Sequence, residues 1–344
     1  MIAAAPDVVV TTLREYGDVT RAALADYLRP REPRRHLYDL VADYPQRGGR
    51  MLRPSLCIAT ARVFGASAEE AVLTAVALEL LHNAFLVHDD VEDESTTRRG
   101  HPTLNALHGP AVAVNVGDAL ALTGLRALLG NRWKLGPRLT LRLFEEAERM
   151  ARESIEGQAI ELGWRRDNAT HVTDADYLEM VLKKTCWYTV IFPSRAGALI
   201  ASRGEADPDR FVRFGFFLGA AFQVQDDLLN LVGDAAKYGK ELDGDIWEGK
   251  RTLMLIHLLH ALDEDERARL RTFLGLPRER RTAADVRWVR ARMDARGCID
   301  YARQMAHGLA GAARHECELL YAALPDSRDR RFIEALPEWV LARR

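Results

Sequence analysis

Residues 68–91 read AEEAVLTAVALELLHNAFLVHDDV, and this stretch decides the fold class. It contains neither Gly nor Pro, and Ser67 with Glu70 forms a capping box at its start. Apolar residues cover most of the helical circumference, so no face is reserved for water. A helix of that kind is stable only when other helices surround it, and the pattern predicts the interior of a large bundle. Its end is different in character: His88-Asp89-Asp90-Val91-Glu92-Asp93. An apolar rod closes in a knot of carboxylates, which stability alone does not require.

Working outward, the period stays helical. Residues 138–168 form a second Pro-free amphipathic segment. A third opens on the capping box Thr173–Asp176 and runs toward Phe192, and residues 208–232 form a fourth, apolar on several faces. There is no Asn-Gly hairpin and no sustained alternation, so strands are not expected. Pro and Gly gather at Pro45–Gly49, Gly100–Pro110, Pro137, Gly204–Pro208, Gly233–Gly249 and Pro277. No linker is long or biased enough to divide the chain, and no repeat recurs at a fixed period. The expectation is one all-α domain spanning residues 1–344, with ten or more helices.

Composition narrows the partners. The 344 residues are 48% hydrophobic and 28% charged, which is ample for a core without staples. The net charge of −2 leaves no global field to gather nucleic acid or an anionic membrane. Four dispersed cysteines, Cys57, Cys186, Cys298 and Cys317, show no metal spacing and read as reduced, buried thiols. No basic-then-apolar leader and no unbroken run of about 18 apolar residues is visible. A soluble cytoplasmic protein, without stable membrane insertion, is expected. The basic residues are lopsided: only six of the 48 Lys+Arg are Lys. The Arg-rich runs Arg278–Arg281 and Arg287–Arg296 read as a solvated loop and helix face.

The chemistry lies in two carboxylate motifs. Asp89 and Asp93 are four apart and share a helix face, with Asp90 beside them. Crowded, partly desolvated carboxylates need a counter-charge. Mg²⁺ suits them, because it takes one or two carboxylates and completes its shell with water and substrate phosphate. A second acidic pair, in Gln223-Val224-Gln225-Asp226-Asp227-Leu228-Leu229-Asn230, lies about 135 residues later on another apolar segment. Two such motifs facing across a bundle suit a diphosphate leaving group, whose charge grows as its C–O bond breaks. Cations flank them: Gly48-Gly49-Arg50-Met51-Leu52-Arg53-Pro54, Arg98-Arg99-Gly100, Lys183-Lys184-Thr185, Lys240 and Lys250. With Lys237, five of the six lysines fall near this candidate site.

Together these residues resemble the trans-prenyltransferases, the short-chain polyprenyl diphosphate synthases. The resemblance runs from about residue 45 to about residue 260 and rests on six motifs in family order: GGRMLRP, LLHNAFLVHDDVEDESTTRRGHP, GDAL, LKKT, FQVQDDLLNLVGD and KYGKELDGDIWEGKRT. It implies an isoprenoid-synthase helical bundle with a central cavity, and a homodimer for which the apolar segment 103–126 would suit the interface. It implies that Asp89, Asp93 and Asp226 hold three Mg²⁺ ions on an allylic diphosphate, with Asp90 and Asp227 supporting. Arg98, Lys184, Lys240 and Lys250 would contact the same diphosphate. Isopentenyl diphosphate would bind without metal on Arg50, Arg53, His82 and Arg99. Thr185 and Gln223 would place oxygens near the allylic cation.

Three departures stand out: Arg50 in place of the usual Lys, Cys186 after the Lys-Thr pair, and Asn230 closing the second motif. The last admits a rival, since Asp226-Asp227-x-x-Asn230-x-x-x-Asp234 approximates the metal motif of class I terpene cyclases. A cyclase needs no second diphosphate site, so Arg50, Arg53 and His82 favour the synthase. A non-catalytic partner subunit would not assemble both acidic motifs. In the family, residues just before the first motif floor the product tunnel. Ala84 and Phe85 hold that place here, with Leu81 and the 114–122 segment as neighbours, which implies a C20 product, geranylgeranyl diphosphate.

Overall fold

The computed structural model describes residues 7–233 and 242–343. The stretch that opened the sequence reading is a single helix, Ala68–Glu92, with Ser67 N–H donating to the Glu70 carboxylate at 2.8 Å. It is buried along nearly its whole length. On one side it packs against Leu52–Val63 and, most extensively, against Pro110–Gly130. The opposite wall of the bundle is built from Pro137–Arg166, the segment Asp174–Ala201, and Val212–Val232 backed by Cys298–Tyr321. The buried side chains form one continuous cluster from Val9 to Val340. Truncating a fully buried member such as Leu80 to Ala would cost about 2–5 kcal/mol.

The helical expectation holds, with three local differences. Residues 103–126 do not form one helix, because Gly109 separates Leu104–His108 from Pro110–Gly130 with φ of 83°. The segment that starts at Thr173 reaches Ala201, but its middle, Leu182–Ile191, is π-helical. A wider turn leaves no signature in a period of apolar residues. A short hairpin also occurs: Thr97–Arg98 pairs with His101–Pro102. Its two loop residues, Arg99 and Gly100, have φ of 54° and 74°, the conformation a two-residue turn demands and one that Gly adopts freely. Strands of two residues are too short to show alternation.

Two helices, Ala68–Glu92 and Pro110–Trp133, are long and apolar enough to cross a membrane by length and composition, which an unbroken-run criterion overlooks. In the first, 72% of the most apolar window is buried against other helices, and its end carries Asp89, Asp90 and Glu92. The Arg-rich loop is not simply solvated either. Arg281 turns inward to donate to the carbonyls of Trp247 at 2.5 Å and Leu274 at 3.0 Å. All four cysteines are buried and free.

The chain ends close the bundle. Tyr16, in the helix Asp7–Ala25, donates to Asp329, which also accepts from Arg62 Nε at 2.8 Å. This junction fixes the helix Arg328–Leu341, whose Trp339 lines the interior cavity.

Candidate active site

A cavity of about 960 Å³ runs between the central helix and the opposite wall. That lies at the upper end of the roughly 300–1,000 Å³ typical of ligand sites, room for two small substrates side by side. Asp89, Asp226, Asp227, Lys184, Thr185, Gln223 and Lys250 line it, as do Arg50, Arg53, His82, Arg98 and Arg99. Leu81, Ala84 and Phe85 line its apolar arm with Ala121, Leu125 and Ile155. Lys240, and Asp234 of the rival motif, fall outside the described residues.

In one half of the cavity Asp89 and Asp226 each meet a cation, whereas Asp227 meets neutral donors. Lys184 sits between Asp89, at 3.3 Å, and Glu161. Burial alone would lower the Lys184 pKa, but Glu161 and Asp89 outweigh it and hold the ammonium charged. Its placement depends on Gly157, where a β-carbon would stand 2.2 Å from the Lys184 backbone nitrogen. Arg343 donates to Asp226 at 2.7 Å. Asp227 accepts from Tyr177 and Gln223, both at 2.7 Å, yet burial pushes its pKa up to about 7. The other Gln223 atom, Oε1, accepts from Thr185 at 2.9 Å.

Two members of the first motif do not line the cavity. Asp90 is fully buried beneath it, accepting from Tyr44 at 2.6 Å and from Arg98 Nε at 2.9 and 3.0 Å. Helical geometry explains this: adjacent residues on a helix point about 100° apart, so Asp89 and Asp90 cannot share a face. Asp90 anchors Arg98 through Nε and Nη2, and the same Nη2 reaches Asp89 at 3.3 Å. Asp93 is 1% exposed, between Lys250 at 2.6 Å and Arg165 at 2.6 Å. Burial raises its pKa, but these cations win and hold it low.

The other half is an arginine pocket. Arg53 donates to Thr189 at 3.0 Å and lies 3.3 Å from His82 Nε2. Arg53 Nε and His82 Nδ1 are both buried without a partner. Arg99 reaches only the Tyr44 carbonyl, at 3.2 Å, and Arg50 lies 5.7 Å over the Trp339 ring. Among the described residues none of these three arginines forms an ion pair. Burial lowers the Arg50 and Arg99 pKa values; Arg343 adds to the first while Asp226 opposes it, and Arg98 and Arg53 add to the second while Glu79, which also lines the cavity, opposes it. His82 is pushed well below the ordinary histidine range by burial, then by Arg53 and Arg99, so it is neutral. Cations without an ion pair, only partly offset by Glu79 and Asp226, around orphaned donors make an anion site.

The donor set fits magnesium. Asp89 and Asp226 offer hard oxygen ligands from two helices to one cavity, and Asp93 lies just behind them. The described residues hold no ready cluster of three metal-ligating side chains. Mg²⁺ suits such a site, because it relies on one or two carboxylates and on substrate phosphate.

Several functional positions escape sequence reasoning. Glu161, Arg165, Tyr188, Trp339 and Arg343 reach the site or its carboxylates from segments without a readable motif. Conversely, Lys183 points away, onto Glu153 and Glu156 at 2.9 and 2.7 Å. Cys186 is buried against the helix Val212–Val232, its thiol donating to the Phe216 carbonyl, and does not line the cavity. Asn230 is buried and accepts from the Asp245 N–H at 3.0 Å, holding the helix Gly244–Glu248 in place.

Known proteins share this fold. The chain is 30% identical over 300 residues to a short chain isoprenyl diphosphate synthase of Methanothermobacter thermautotrophicus, covering 86% of this chain and 87% of that one. Its fold superposes on a geranylgeranyl pyrophosphate synthetase from Pyrococcus horikoshii with a TM-score of 0.84 and 29% identity, over 98% of each chain. A polyprenyl synthase from Caulobacter crescentus, solved with calcium and isoprenyl diphosphate, gives 0.84 and 27% over 99% of each. The polyprenyl synthetase family model matches residues 34–293, which contain the carboxylate half and the arginine pocket but for the C-terminal Trp339 and Arg343. The chain therefore belongs to the polyprenyl synthetase family and is a prenyltransferase.

Proposed function

We propose that the enzyme condenses isopentenyl diphosphate with an allylic diphosphate, head to tail, and that geranylgeranyl diphosphate is its main product. The observation that carries this reading is the division of one cavity into a carboxylate half and a half whose arginines form no ion pair among the described residues, with an apolar arm alongside. Two diphosphates with different needs are served at once. A cyclase has no use for the second pocket.

The allylic diphosphate binds in the carboxylate half. Arg98 and Lys184 are held charged there and point at Asp89, beside the space the diphosphate fills. Magnesium on Asp89, Asp93 and Asp226, with the phosphate oxygens completing its shell, would neutralise the charge growing on the departing group. Three ions are proposed, by resemblance. Lys250 and Arg343, now on Asp93 and Asp226, are the cations that yield as metal enters. Asp90 acts indirectly, by fixing Arg98.

Isopentenyl diphosphate occupies the arginine pocket. Arg50, Arg53 and Arg99 bind it as charged donors, and neutral His82 fixes the plane of Arg53. The C1–O bond of the allylic substrate breaks, and the isopentenyl double bond attacks the allylic carbon. A proton then leaves C2 of the new unit to the departing diphosphate. The Thr185 hydroxyl and Gln223 carboxamide present dipoles next to that carbon, and the apolar arm keeps water out. Ala84 leaves the arm open where a large side chain would fill it, and Phe85 limits its depth, which supports a C20 product. Both substrates and a homodimeric, cytoplasmic enzyme belong to the same reading.

Incubation with labelled isopentenyl diphosphate, Mg²⁺ and the C5, C10 or C15 allylic diphosphate tests it. Label in a C20 diphosphate is the expected result. A hydrocarbon formed from geranylgeranyl diphosphate alone would overturn the condensation in favour of cyclisation.

A further inference from the structure

Tyr188 stands where the arginine pocket meets the apolar arm. It belongs to the π-helical stretch Leu182–Ile191, just past Lys184 and Thr185, and faces the same cavity. Its ring touches three residues with separate tasks. The Arg53 guanidinium lies over its face, 4.3 Å from the centroid. His82 stacks on it at 5.8 Å, the planes 24° apart. Phe85 meets it edge-on at 5.7 Å and 74°. All three contacts are made by the ring, so none depends on the hydroxyl.

Among the described residues no carboxylate pairs with Arg53; a threonine hydroxyl, neutral His82 and this aromatic face define its plane. A guanidinium without such a platform must be ordered by its ligand, which weakens binding. Phe85 is only partly buried, so its ring has room to swing once the edge contact is lost.

We infer that Tyr188 is a positioning residue that sets isopentenyl diphosphate affinity and product length together. One ring holds Arg53 for the diphosphate and braces Phe85 as the tunnel floor. This role rests on the condensation proposed above. It ties the recognition of one substrate to the size of the product through a single side chain.

The test compares wild type, Tyr188→Leu and Tyr188→Phe by metal-free calorimetric titration with isopentenyl diphosphate, and by sizing products made from it and the C15 allylic diphosphate with Mg²⁺. The leucine variant is expected to bind isopentenyl diphosphate roughly three- to thirtyfold more weakly, the range of a lost cation–π contact. It should also make products longer than wild type, with the KM for the allylic diphosphate within about twofold. The phenylalanine variant should restore both properties. Tyr188→Met replaces leucine should thermal melting show that the leucine variant folds poorly. An unchanged affinity and product length overturns the inference, as does a shift in only one of them. A matching rise in the allylic KM overturns it too, by showing general loss of packing. A wild-type enzyme that incorporates no label at all overturns instead the condensation on which the inference rests, and that is seen before any variant is compared.

Discussion

The two halves of the cavity hold opposite electrostatic bargains. In the carboxylate half each described cation faces an acid: Lys184 on Asp89 and Glu161, Lys250 on Asp93, Arg343 on Asp226. In the arginine half Arg50, Arg53 and Arg99 form no ion pair among the described residues and contact a carbonyl, a hydroxyl, rings and a neutral histidine, with Glu79 the counter-charge to Arg99. The first half therefore has no net attraction for a diphosphate until divalent ions change its sign. The second attracts one as it stands. The same ligand group is thus read in two ways, and the substrates are told apart by whether metal accompanies them.

Removing metal is the strongest way to break this contrast. Chelation should abolish turnover entirely while leaving isopentenyl diphosphate affinity unchanged, measured by calorimetry before and after EDTA; loss of both would mean that the halves are not independent. Next, Asp89→Asn and Asp226→Asn should each lower kcat on the order of 10²–10³-fold, with isopentenyl diphosphate binding intact. Steady-state kinetics with saturating substrates read this. On the other side, Arg53→Gln should raise the KM for isopentenyl diphosphate roughly ten- to hundredfold, as expected for a charged hydrogen-bond donor, and leave the allylic KM alone.

Phe85→Ala sharpens the picture, because it touches neither diphosphate. Products sized by chromatography should lengthen, and an unaltered distribution would remove Phe85 from the floor. The smallest effect is on stability. His82 is kept neutral in the fold, whereas in the unfolded chain it takes up a proton near pH 6.5. The unfolded state then binds more protons, so stability falls as pH drops below about 6.5, by at most about 1.4 kcal/mol per pH unit. His82→Gln should flatten that part of the thermal-melting profile between pH 7 and pH 5.

The halves also differ in how far the sequence reveals them. Asp89, Asp226, Lys184 and Lys250 stand in local motifs that name hard ligands and their counter-charges. Arg50, Arg53 and Arg99 are equally visible as basic motifs, but nothing local says that they lack carboxylate partners. That depends on what the folded chain brings opposite them. Asp90 shows the limit most clearly: spacing placed it with Asp89, and only the direction of its helix sends it down onto Arg98 and Tyr44. Arg343 is unreadable for another reason. It lies 117 residues from Asp226, and the Tyr16–Asp329 junction carries it there.

The sequence by itself determined the helical class, the central helix, both acidic motifs and the cations around them, because periodicity and short-range spacing are local properties of a chain. Only the tertiary structure decided which carboxylates face the cavity, which are spent on holding arginines, and which described arginines are left without an ion pair. Those are properties of burial and of contacts between distant segments. In a buried site, where solvent screens little, the pairing of each charge decides what it can bind.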